Sequence, residues 1–289
     1  MILSSVAFGQ TIYGDLALPP GAFLWLNTCA TQEALGGAGV ADGGLKSAGN
    51  ANPAALFGKE NLSVGASYSY MRTQTFNSNI YGAKVFGEWA FAARLFIMDS
   101  GEIEARTGPT SEPDYTFTSH QLYLQFSGAR RIADIIDLGA SAKWIHERID
   151  QDDRDGWVFD LGATGNYKFL HAGVAVQNHG SEVVFRMFRE RYPLTYRMGI
   201  AAEVLDYGTI HADYIKPDRL GGWFAVGVEG RLTDYAVLRA GYTPGHDTRN
   251  ISAGFGIRAK GIDLDYAIVN FSEGLGLSHQ VTLSYNIGG

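Results

Sequence analysis

The sequence predicts an all-β protein, a 14-stranded antiparallel transmembrane β-barrel with an N-terminal plug segment. Three observations predict it. From Asn61 onward, hydropathy alternates with a period of two, the side-chain period of a strand with unlike faces. The connections between successive strands alternate between tight and long. The chain before Asn61 is not strand-like and is too small to make a domain by itself.

The alternation is plainest at 62–70. Leu62, Val64, Ala66, Tyr68 and Tyr70 form one set, and Ser63, Gly65, Ser67 and Ser69 the other. Fourteen such stretches follow one another, at about 61–71, 77–86, 88–98, 117–128, 136–148, 156–167, 169–177, 194–204, 207–215, 222–232, 234–243, 249–259, 261–270 and 278–287. Trp89, Phe91, Ala93, Leu95 and Ile97 share a face. Phe159, Leu161 and Ala163 stand against Asp160, Gly162 and Thr164. Ile251, Ala253, Phe255 and Ile257 stand against Ser252, Gly254, Gly256 and Arg258. In a soluble sheet the apolar face would pack inward on a second sheet; in a membrane barrel it would meet lipid. Alternation by itself fits both.

The connections favour the barrel. Gly87, Lys168, Leu205-Asp206, Thr233 and Lys260 sit in turns of one or two residues, with 129–135 as an exception. The intervening gaps are longer: 99–116 and 178–193 are long, and 72–76, 149–155, 216–221, 244–248 and 271–277 are intermediate. Short turns on one rim and loops on the other are the habit of outer-membrane barrels. Tyr and Trp near many strand ends fit interfacial girdles.

Composition agrees. Charged residues make up 18% of the 289, below the average of about 25%, and there are 37 glycines. The net charge of −7 argues against a nucleic-acid partner. Cys29 is the only cysteine, so no intrachain disulfide forms, and a small buried filler is its expected role. No run of 18 apolar residues exists for a membrane helix, but strands cross with about 9–11 residues. Residues 1–9 read as the remnant of a signal peptide, with small residues near Ala7-Phe8-Gly9.

Residues 10–60 contain Leu35-Gly-Gly-Ala-Gly-Val-Ala-Asp42 and Asn52-Pro-Ala-Ala-Leu56, small-residue stretches suited to close backbone packing. A helical turn or two is expected within 32–40. A short helix is expected at Pro53–Leu56, capped by Asn52. An even number of strands puts both termini on the turn side, so this segment folds back into the lumen of 61–289. His171, His211 and Asp213 would face that lumen, with Asp160, Arg197, Glu203, Glu229, Arg239, Arg258, Asp263 and Asp265. They read as mixed-sign pairs bracing the interior and the plug, since such groups need partners away from bulk water. The other reading is a catalytic or transport constellation.

Motifs for chemistry are broken. Gly37-Ala-Gly39-Val-Ala-Asp42 lacks the third Gly of a dinucleotide loop. His146-Glu147 has Asp150 where a zinc-protease motif needs its second His. Arg154 interrupts a calcium-like acidic run at 150–156, which is expected to be a solvated loop. No Gly-x-Ser-x-Gly occurs. We therefore expect no catalytic residue, no cofactor and no metal.

The chain resembles the PorV/PorQ-type (FadL-like) outer-membrane barrels. The resemblance rests on the plug motif (Gly36, Gly37, Asn52, Pro53 and Ala54 within the two stretches above), on Asp160-Leu-Gly162, and on Asn178-His-Gly180 with Pro193-Leu-Thr-Tyr-Arg197-Met-Gly199. Leu277-Ser-His279-Gln-Val-Thr-Leu-Ser284 completes it. Two departures stand out: Thr31 lies where the group usually has arginine, and the chain closes on Tyr285-Asn-Ile-Gly-Gly289 rather than on an aromatic residue. The resemblance implies a fourteen-stranded plugged barrel in the bacterial outer membrane, surrounded by lipid and not an enzyme. It implies transport of a hydrophobic small molecule, or a secretion-accessory role of type IX kind with a secreted cargo protein. Passage would require the plug to shift or a lateral gap to open between strands. The alternative is a soluble, secreted β-sandwich or barrel that binds a ligand.

Overall fold

The computed structural model describes residues 2–3 and 21–288, apart from 48, 59, 72–74, 107, 109–110 and 186–187. Fourteen strands make the wall: β1 Leu62–Met71, β2 Phe76–Phe86, β3 Trp89–Arg106, β4 Tyr115–Ile132, β5 Ile136–Ile149, β6 Asp152–Tyr167, β7 Leu170–Gly180, β8 Thr195–Val204, β9 Gly208–Pro217, β10 Trp223–Thr233, β11 Ala236–Tyr242, β12 Arg249–Ala259, β13 Ile262–Phe271 and β14 Gly276–Ile287. Each pairs antiparallel with its neighbours, and β14 returns to β1 from Ser278↔Met71 to Ile287↔Leu62. Closure gives each strand a neighbour on both sides, so along the paired registers the wall's peptide groups find partners without water.

The apolar faces point outward. Phe159 and Phe255 are 51% and 41% exposed, together with Tyr68, Phe91, Leu161 and Leu283. The inner face carries Ser63, Ser67, Gln125, Asp160, Asp213 and Thr282, all buried. A chain folded in water would hide the first set and wet the second. This closed, inverted arrangement is that of a transmembrane barrel, and it overturns the soluble β-sandwich alternative.

Several boundaries differ from the sequence expectation. The 129–135 exception disappears, because β4 continues to Ile132 and only 133–135 turns. The 99–116 gap is mostly strand, since β3 runs on to Arg106 and β4 starts at Tyr115. The acidic 150–156 run is no solvated loop: only Asp150 and Gln151 turn, with φ 57° at Asp150, and Arg154 bonds Glu147 across the hairpin at 2.8 Å. Polar sequence reads as loop, yet here a salt-bridged ladder continues past the membrane. The 178–193 gap holds a small hairpin, Glu182–Phe185 with Phe188–Arg191. With eighteen residues each, β3 and β4 are far longer than a membrane crossing, whereas β11 has seven, so one side of the wall rises above the other.

Ahead of the wall lie a 3-10 turn at Ala22–Trp25 and two short helices, α1 Ala30–Ala34 and α2 Gly44–Ser47. Helix thus appears within the expected region but starts earlier and stops sooner. Pro53–Leu56 is a turn rather than a helix, although Asn52 does cap it, its Oδ1 accepting from the Ala54 N–H at 2.9 Å. Of residues 1–9, only Ile2–Leu3 is described, paired with Ala105–Arg106; the signal-peptide expectation otherwise falls outside the described residues.

Candidate functional site: the inner wall and the segment it holds

Residues 21–58 lie against the polar face of the wall almost all the way round. They approach β5–β12 through absent side chains. A Cβ on Gly139 would stand 2.4 Å from the Ala54 nitrogen, and one on Gly162 1.9 Å from Asn52 Oδ1. On Gly173 it would meet the Val40 carbonyl at 2.3 Å, on Gly227 Leu35 at 2.8 Å, and on Gly241 the Gly36 nitrogen at 2.2 Å. Glycine is required at Gly139, Gly173 and Gly241 because backbone lies against backbone, at Gly227 because Leu35 lies against it, and at Gly162 because the Asn52 side chain fills the space.

Two knots fix the register. Asn52 Nδ2 donates to the carbonyls of Val40, Ala163 and Val174 at 2.8, 3.2 and 3.3 Å, joining two points of the segment to β6 and β7. The second knot is at Gly36-Gly37, both with positive φ. Arg197 on β8 donates to the Gly37 carbonyl at 2.8 Å. On β9, Asp213 Oδ2 accepts from the backbone N–H groups of Gly39 and Val40 at 2.9 and 3.0 Å. Thr243 Oγ1 donates to the Gly36 carbonyl at 3.3 Å. The five plug-motif residues therefore stand at two of the places where this segment is tied to the wall.

The charged inner residues fall into groups. Arg239 pairs with Glu229 at 2.6 Å and with Asp265 at 2.8 Å; Arg258 lies 3.7 Å from Asp263. Lys46 of α2 reaches into this group, bonding Asp263 and lying 3.4 Å from Asp265. Asp160 is wholly buried, with Lys143 at 2.8 Å, the Ser141 hydroxyl at 2.6 Å and the Asn178 N–H at 2.8 Å. Asn178 has φ 62°, at a bulge just beyond the point where β7 stops pairing with β8. His211 is buried two residues from Asp213, and half-buried His171 bonds Asn166 at 2.7 Å. Glu203 does not join them: it has the inward parity of β8 but is exposed at the turn-side rim. Among the described residues no three of His, Cys, Asp and Glu converge as metal ligands.

At the loop end, His246 accepts from the N–H groups of Thr248 and Arg249 through Nδ1 at 3.3 and 3.0 Å. Burial, then the Arg249 charge, pull its pKa down to about 4. Arg249 in turn donates to the carboxylate and the carbonyl of Glu33 at 3.2 and 2.9 Å.

Sequence reasoning missed one part of the interior. Phe96, Met98, Tyr123, Ile145 and Val158 point inward from β3–β6, packed with Phe23 of the N-terminal segment and Tyr192 of the 181–194 loop. Phe96 and Tyr123 stack with centroids 4.8 Å apart at 8°, and the Phe23 ring lies 6.1 and 6.2 Å from them. Tyr192 fits between two glycines: a Cβ on Gly21 or on Gly156 would come within 2.4 Å of its ring. Burial, then the Glu147 charge, push the Tyr192 hydroxyl above its usual range. A signal was available, since 91–98 reads Phe-Ala-Ala-Arg-Leu-Phe-Ile-Met, apolar on both faces of one strand.

Fold and interior together define a closed outer-membrane-type β-barrel with residues 21–58 packed against its inner wall. Its fold matches the solved toluene transporter TodX of Pseudomonas putida, with a TM-score of 0.68 at 13% identity over 89% of this chain and 97% of that one. The toluene transporter TbuX of Ralstonia pickettii matches at 0.67 and 16% over 90% and 98%, and the monoaromatic hydrocarbon channel CymD at 0.67 and 14% over 92% and 98%. No protein-family model and no curated protein matches the sequence. The likeness of fold agrees with the FadL-like part of the resemblance read from the sequence.

Proposed function

We propose that the protein is an outer-membrane channel for hydrophobic small molecules, with residues 10–60 as its plug. The observation that carries this is the inward apolar cluster. A lumen lined for water or ions has no use for Phe96, Met98, Tyr123, Ile145 and Val158 on its inner face, whereas an apolar solute needs such a surface to leave water. The names of the solved proteins of like fold support the same reading. Of the two roles that the resemblance implies, we take transport for that reason and leave the secretion-accessory role aside. The plug blocks a straight path, so passage requires a local shift of the plug or a side exit. The interrupted pairing beside Asn178 is the place in the wall that favours a side exit.

Uptake of radiolabelled toluene by proteoliposomes containing the full chain tests the proposal. Saturable uptake, faster when Phe23 is changed to alanine, is expected. Uptake equal to that of protein-free vesicles would refute it.

A further inference from the structure

Beneath the aromatic stack the inner wall is underpaired. Arg94 on β3 is 2% exposed. Nη2 donates to the Ser47 carbonyl, and the guanidinium lies over the Tyr81 ring at 5.7 Å and beside the Tyr123 hydroxyl. Nε and Nη1 have no hydrogen-bond partner, and among the described residues no carboxylate lies within 4.0 Å. Asp160, further round this wall, is committed to Lys143, Ser141 and Asn178. Around Arg94, acceptor oxygens of Asn79 and Gln125 are also unpaired. These residues flank it in the ladder, since Phe96 pairs with Asn79 and Arg94 with Gln125. A buried guanidinium with two idle N–H groups is costly unless something occupies them.

The ring slot and the idle guanidinium adjoin on one strand, two residues apart on the same face. We propose that the inner face of β2–β4 is a binding subsite for an aromatic carboxylate, its ring replacing Phe23 against Phe96 and Tyr123 and its carboxylate accepting from Arg94. Near-parallel Phe96 and Tyr123 favour a flat ring over a flexible acyl chain, and the guanidinium fork matches a carboxylate, whereas a neutral arene offers its N–H groups no acceptor oxygen. The inference rests on the channel reading only for how the compound arrives.

Binding of benzoate to the purified full chain in detergent tests it, with toluene and decanoate as comparators. Saturable benzoate binding is expected, weakened about ten- to hundredfold by Arg94→Gln, with toluene unaffected by the change. Phe23→Ala, which empties the slot, is expected to tighten benzoate binding, and it serves if Arg94→Gln does not fold. Absence of saturable benzoate binding in both the native chain and Phe23→Ala would overturn the proposal. So would benzoate binding indifferent to Arg94, or decanoate bound as well as benzoate. Benzoate binding without toluene uptake would sink the channel reading and leave this subsite standing.

Discussion

The two sides of the inner wall hold the same segment differently: both send side chains to its carbonyls, Arg197, Thr243 and Arg249 on one side, but only that side also retreats to glycine. From β5 to β12 the wall retreats to glycine, so that the segment's backbone lies against Gly139, Gly173, Gly227 and Gly241 and its Asn52 side chain against Gly162. Lys46 then closes a buried ion group on β13. On β2–β4 no inward position is glycine. Long side chains reach out there, with Asn79, Arg94 and Gln125 each donating to a carbonyl of the segment and each retaining an unpaired atom. Under the proposed channel function, the difference separates a seat from a passage. Close-packed backbone has no room to admit a solute, whereas an underpaired side-chain wall can exchange one partner for another.

The strongest test of that contrast is Lys46→Met. It removes one cation from a buried group, leaving Asp265 to Arg239 and Asp263 to Arg258 at 3.7 Å, and a loss of about 3 kcal/mol is expected. Heat- and urea-induced unfolding of the detergent-solubilised barrel would measure it, and a negligible loss would remove the distinction between the sides. Gly162→Val comes next. Its side chain needs the space of Asn52, for an expected loss of about 1–3 kcal/mol and a looser plug by hydrogen exchange. Gly82→Ala is the control: its Cβ faces outward, 3.7 Å from Val64, and should change stability by less than about 0.5 kcal/mol.

Arg94→Met sharpens the comparison with Lys46→Met, since both replace a buried cation with the same side chain. Losing an unpaired charge with one hydrogen bond to the segment should cost no more than about 1 kcal/mol in the same unfolding assay. The smallest effect is local and pH-dependent. The pKa of His246 is near 4 when folded and near its ordinary 6.5 when released, so the released loop binds the extra proton. The 243–248 loop is therefore fully held above pH 6.5 and loses stability as pH falls from there towards 4. Hydrogen exchange at Thr248 and Arg249 should speed up over that window, and no change would remove His246 from the account.

Most of the wall was legible in the sequence, because the signal is local. Alternation at Leu62–Tyr70 or Phe159–Asn166 needs no knowledge of distant residues. The ends of β3, β4 and β6 were misread because charged sequence signals loop, while hairpins such as Ile149–Asp152 extend beyond the membrane on their own salt bridges. Gly36, Gly37 and Asn52 stood out by motif, but their partners lie far along the chain: Arg197 is 160 residues from Gly37, and Asp213 is 174 from Gly39. Arg94 was passed over although its strand is apolar on both faces. An idle charge becomes visible only once its neighbours are placed.

By itself, then, the sequence determined the strand period, the outward face and the number of staves, since each follows from side chains two residues apart and from turn length. Tertiary structure alone decided which glycines meet the N-terminal segment, which charges find partners and which remain unpaired. Those outcomes depend on ring closure, which brings residues more than a hundred positions apart within hydrogen-bonding distance.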